Sequence, residues 1–112
     1  MKKSKINFEI ELDKDSVPEK IEWNATDASE ELKETKSISI SLWDHIEKNS
    51  MRIDLWTKDM PVDEMKRFYI DCLGGMAQSV LNATGDEFMS QEMNDLCDKL
   101  VAHVEREMRE QK

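Results

Sequence analysis

Few side chains in this sequence are equipped for chemistry, and their spacing does not bring them together. The imidazoles, His45 and His103, fall on different predicted elements, and no Cys/His pairing has metal-ligand spacing. There is no glycine-rich phosphate loop and no G-x-S-x-G nucleophile elbow. Asn24-Ala25-Thr26 and Asn82-Ala83-Thr84 match the glycosylation acceptor pattern, but without a signal peptide both read as chance matches. Carboxylates are abundant, 25 acidic residues against 16 basic, yet they spread over solvated faces instead of converging. These residues predict no enzymatic activity, no cofactor and no metal. The side chains with most to offer are Trp43 and Trp56, and their use depends on the elements that carry them.

The first half of the chain alternates with period two. Ile6, Phe8, Ile10 and Leu12 share one strand face, with Asn7, Glu9 and Glu11 on the other. Ile21 and Trp23 alternate with Lys20 and Glu22 in a second strand, after a turn spelled DKDSVP. Residues 24–35 show no apolar periodicity and read as the longest loop. Ile38, Ile40 and Leu42 alternate with serines in a third strand, and Met51, Ile53 and Leu55 alternate with Arg52, Asp54 and Trp56 in a fourth. A two-residue hairpin loop at Lys48-Asn49 sets Leu42 opposite Leu55 and Ile46 opposite Met51, with every aliphatic on one side.

Period two stops at Thr57. Pro61 suits a helix start, and Asp63 and Glu64 sit near the positive end of its dipole. Met65, Phe68, Tyr69, Cys72, Met76 and Val80 form a helical stripe interrupted by Gly74-Gly75, where close backbone packing is expected. Thr84 and Glu87 read as a capping box opening a second helix. Its stripe is Met89, Met93, Leu96, Cys97, Leu100, Val104 and Met108. Both cysteines read as reduced core thiols. The order of elements predicts an α+β fold. It is a four-stranded antiparallel sheet followed by two C-terminal α-helices packed on one sheet face, in a single domain spanning residues 1–112.

A net charge of −9 disfavours nucleic acid and anionic membrane surfaces as partners. No stretch approaches the roughly 20 apolar residues of a membrane span. The N-terminus has basic residues but no apolar signal core. The expected location is the cytoplasm, with no membrane insertion.

In the expected hairpin register Trp43 faces Asp54 and Trp56 faces Ser41, so the two indoles are diagonal neighbours on the face away from the aliphatics. Tryptophan with arginine nearby is the composition of a binding hot spot. The expected partner-binding residues are therefore Trp43, Asp44, Arg52, Asp54, Trp56, Lys58 and Asp59. The competing reading closes the tryptophans into a small second core. The methionines read mainly as core filling, although Met-rich stripes also serve binding surfaces. One sheet face and one long helix exceed the needs of a single core, which predicts a homo-oligomer, dimer or tetramer.

RIDLWTKDMPVDEM at residues 52–65, with SLWDH at 41–45 and VPEKIEW at 17–23, resembles the gliding motility-associated GldC family over essentially the whole chain. The resemblance implies a small accessory protein of the gliding machinery that works with the type IX secretion system. Its expected partner is a protein component of that machinery. It implies no catalytic residue and no cofactor. The strand-then-helix order on an acidic chain also looks like the export chaperone SecB, by fold and charge alone, and implies a holdase as the alternative function.

Overall fold

The computed structural model describes residues 1–111 and divides the chain into two compact units, Met1–Met60 and the segment from Pro61 onward. The first unit holds five strands: β1 (Ile6–Leu12), β2 (Pro18–Ala25), β3 (Ser29–Thr35), β4 (Ser37–Trp43) and β5 (Ser50–Trp56). The second holds helices α1 (Val62–Thr84) and α2 (Glu87–Glu110). The α+β class and the two C-terminal helices match expectation, but the four-stranded sheet does not. The strands form a three-stranded sheet, β1-β2-β3, and a two-stranded sheet, β4-β5, antiparallel throughout.

The extra strand is β3, which lies in the segment expected to be a loop. SEELKET offers only Leu32 as a large apolar side chain, so no alternation marks it. As an edge strand it is held by backbone pairing to β2, with Ile21 opposite Thr35 and Trp23 opposite Lys33. The Lys33 ammonium lies 5.9 Å from the Trp23 ring, a cation–π contact that covers part of the indole. Phe8 faces Trp23 and Ile10 faces Ile21 across β1-β2. Ile21 is fully buried and anchors this sheet.

A single residue, Lys36, separates β3 from β4, so the chain turns a corner from one sheet into the next. The Thr35 hydroxyl donates to the Ser37 carbonyl across that corner at 3.1 Å. The β4–β5 register also differs from expectation. Leu42 faces Met51, Ile40 faces Ile53 and Ile38 faces Leu55. The loop is six residues, Asp44–Asn49, because the Asp44 carboxylate accepts from the Ile46 and Glu47 amides at 3.1 and 2.6 Å. This side-chain turn takes over positions that would otherwise extend the ladder. The shift is an even number of positions, so all the aliphatics still share one face.

The helices form an antiparallel hairpin. Gly85, in the left-handed region at φ 73°, ends α1 and donates its N–H to the Leu81 carbonyl. Asp86, not Thr84, caps α2, accepting from the Met89 amide at 3.0 Å. The Thr84 hydroxyl instead donates to the Val80 carbonyl. The covered row on α2 is Ser90, Met93, Cys97, Leu100, Val104 and Glu107, alternately three and four residues apart, the spacing of a coiled-coil seam. On α1 the covered residues include Ile70, Leu73, Ala77 and Leu81. Met76, Met89, Leu96 and Met108, expected in the stripes, are exposed. The buried Ser90 hydroxyl donates to the Ala77 carbonyl at 2.9 Å, and the Cys97 thiol reaches the Ile70 carbonyl at 3.8 Å. Lys66 and Glu107 pair at 2.8 Å.

Gly74 and Gly75 do not mark close backbone packing. A Cβ on Gly74 would meet only the Cys97 sulfur at 3.9 Å, an ordinary contact, and one on Gly75 would meet nothing. Gly75→Ala should therefore stabilise the helical hairpin by about 1 kcal/mol through backbone entropy alone, read as a raised denaturant midpoint at unchanged m-value.

Candidate protein-binding surface

No group of three or more His, Cys, Asp or Glu side chains among the described residues could hold a metal. His45 is exposed in the β4–β5 loop, and His103 is exposed on α2 beside Glu107 at 3.3 Å. Functional capacity therefore lies in the surfaces and in Trp43, Asp44, Arg52, Asp54, Trp56, Lys58 and Asp59.

Five of the seven have work to do inside the fold. Asp44 closes the hairpin loop, as described. Arg52 donates to both Asp54 carboxylate oxygens, at 3.3 and 3.1 Å, and to the hydroxyls of Ser39 and Ser41. The Ser39 hydroxyl donates to Asp54 at 2.6 Å. That hydroxyl, and then the guanidinium, hold the Asp54 carboxyl below its ordinary range. Arg52 and Asp54 thus form a cross-strand polar ladder on the serine face of the hairpin.

Lys58 and Asp59 belong to a clamp at the end of β5. The buried Thr57 donates its N–H to the Lys36 carbonyl at 2.9 Å and its hydroxyl to Asp59 at 2.6 Å. Asp59 pairs in turn with Lys36 at 3.3 Å, and Lys36 also pairs with Glu34 at 3.2 Å. The hydroxyl of Thr57, then Lys36, depress the Asp59 carboxyl. The Lys58 N–H bonds the Pro18 carbonyl at 3.0 Å, which ties β5 to the start of β2. The Lys58 ammonium bridges Glu19 at 2.9 Å and Asp13 at 3.1 Å, and these contacts, Glu19 first, raise its pKa. Asp13 also accepts from the Val17 and Asp15 amides and so shapes the β1–β2 turn, where Ser16 takes φ 64°. The Val17 amide is the largest cause of the lowered Asp13 pKa, and Lys58 adds to it.

The two tryptophans remain, and the register separates them. Trp43 faces Ser50 at the loop end of the hairpin, and Trp56 faces Ser37 at its base. Six residue steps of strand separate them, roughly 20 Å at 3.3–3.4 Å per residue. They share a face but are not diagonal neighbours. Each is exposed, Trp43 at 66% and Trp56 at 49%. On the opposite face of the hairpin Leu42, Met51 and Ile53 are exposed too, as is Ile46 in the loop. Alternation shows which face is apolar, not whether anything covers it. Large apolar side chains gathered at one strand end are the composition of an interaction site.

On the helical hairpin, a groove of about 380 Å³ is lined by Ile70, Val101, Val104 and Met108, with Arg67, Asp71 and Glu105 at its rim. No helix among the described residues is long and apolar enough to cross a membrane.

A family model described as gliding motility-associated protein GldC-like matches residues 18–106, from the first residue of β2 into the last turns of α2. No curated protein and no solved structure matches the chain.

The clamp gives a pH signature. Asp13 has a folded pKa below its ordinary 3.8, so its contribution is present above 3.8 and lost as pH falls through the lower folded value. Lys58 has a folded pKa above 10.5, so its contribution is present below 10.5 and lost as pH rises through the higher folded value. The stability gap between the wild-type chain and Lys58→Met, followed by thermal melts, should be flat between those values. It should narrow at both extremes.

Proposed function

The chain belongs to the GldC-like family of gliding motility-associated proteins, and from that membership we propose a non-catalytic adaptor of the gliding machinery and its type IX secretion system. It acts by binding a protein component of that machinery from the cytoplasmic side, and it self-associates. The observation that carries this reading is the exposed apolar end of the β4–β5 hairpin. There Trp43 projects from one face and Leu42 and Met51 from the other, with Ile46 in the loop beyond them. An indole presents a large rigid contact area at low entropic cost, which suits an anchor at the centre of an interface. Trp56 supplies a second contact at the base of the same face. Arg52, Asp54, Asp44, Lys58 and Asp59 support this surface by holding the hairpin in shape, and Arg52 and Asp54 offer a polar rim between the two indoles.

Trp43→Ala with Trp56→Ala should abolish recovery of gliding-machinery components in affinity capture from native lysate. Both side chains are exposed, so the far-ultraviolet circular dichroism spectrum should stay that of the wild type. Full recovery by the double variant would overturn the assignment of the surface. Collapse of the spectrum would make the tryptophans structural.

A second reading, a SecB-like holdase, is favoured by the exposed methionines Met76, Met89 and Met108 on the helical hairpin. An adaptor should leave the aggregation of an unrelated unfolded protein unchanged, whereas a holdase should suppress it at near-stoichiometric ratio.

A further inference from the structure

We propose that β4 pairs antiparallel with β4 of a second copy about a two-fold axis at Ile40, joining two β4–β5 hairpins into one four-stranded sheet. The proposal rests on the self-association put forward above and names the surface that carries it.

Among the described residues β4 is paired on one side only, by β5. From Ser39 to Trp43 its other edge presents backbone N–H and C=O groups to an incoming strand, while Ser37 and Ile38 at the base are buried. The edges of the other sheet are guarded by charge. β1 carries Glu9 and Glu11, and β3 carries Glu30, Glu31 and Glu34 against Lys33. Set against its own copy about Ile10, β1 opposes Glu9 to Glu11, and β3 about Leu32 opposes Glu30 to Glu34. β4 reads SISISLW, with no charge, no proline and no glycine. Such an uncharged, β-branched edge is the kind that recruits another strand. On a chain of net charge −9, β4 is an edge where a second copy meets no like charge.

The sequence of β4 also fits itself. With Ile40 on the axis, Ile38 faces the second copy's Leu42, Ser39 faces its Ser41, and Ser37 faces its Trp43. Opposed residues of an antiparallel pair lie on the same side. Aliphatic therefore meets aliphatic on one face and serine meets serine on the other, with the ladder centred on Ser39, Ile40 and Ser41. The contact is isologous and closes on itself, so the sheet stops at four strands instead of growing into a fibre.

Sedimentation equilibrium on the full chain tests this at high micromolar concentration. The wild type should be a dimer, and Ser41→Glu should weaken it roughly tenfold or more. Ser41 faces Arg52 across the hairpin, so the new carboxylate is compensated within one copy. Between copies it adds repulsion. In parallel, mild oxidation of Ile40→Cys should give a covalent dimer on non-reducing gels. Leu42→Cys, displaced from the axis, and the wild type should not. A monomeric wild type would overturn both self-association and this interface. A dimer unaffected by Ser41→Glu, with no preferential cross-link at position 40, would leave self-association standing and overturn the β4 edge. If Ser41→Glu loses its fold, the cross-linking result decides.

Discussion

The first unit depends on the three residues that follow β5. Pairings within it otherwise join chain neighbours: β1 with β2, β2 with β3, β4 with β5. Each hairpin could form alone, yet a two- or three-stranded sheet of this size buries too little to be secure by itself. Thr57, Lys58 and Asp59 connect them. The Lys58 ammonium spans 39 and 45 residues of sequence to Glu19 and Asp13, and its N–H reaches the Pro18 carbonyl. Thr57 and Asp59 hold the Lys36 corner where one sheet gives way to the other. The ion pairs are exposed and individually weak in water. What gives the clamp its grip is the burial of Thr57, whose backbone and hydroxyl are both satisfied where solvent does not compete.

This places the TKD of the segment that most resembles the family. A Trp, a basic residue, an acid and a proline at fixed spacing look like a recognition motif when read as a string. In the fold, Thr57, Lys58 and Asp59 are each committed to partners elsewhere in the same unit, and Pro61 precedes the first residue of α1. A short signature can arise because one corner needs those residues in that order.

Periodicity made the four apolar strands and both helices legible, along with the apolar side of each strand. It could not reveal β3, because a polar edge strand leaves no alternation in SEELKET and is recognised only by its backbone pairing. The hairpin register was misjudged because the Asp44 turn is a side-chain device, invisible to a count of hydrophobic residues. On the helices, the apolar residues run around more than one face. Bulk pointed to Met76 and Met89, whereas the seam uses Ala77 and Ser90, small enough to let the helices approach. Of the candidate site, the shared face of the two tryptophans is legible in the sequence, whereas their separation is set by the register that the Asp44 turn imposes.

Burial along the β4–β5 hairpin is graded. Ser37 and Ile38 are buried at the base, Ser39 and Ile40 are half-buried, and from Ser41 to Met51 every residue but the half-buried Asp44 is exposed. The free energy needed to open each rung therefore falls steadily from base to tip. From that gradient, amide protons near Thr57 should exchange only on opening of the whole unit, while those near Trp43 and Ser50 should exchange by fraying. The hairpin is a rigid stem with a loosely held end, able to adjust its outermost rungs to a docking surface without cost to the sheets behind it.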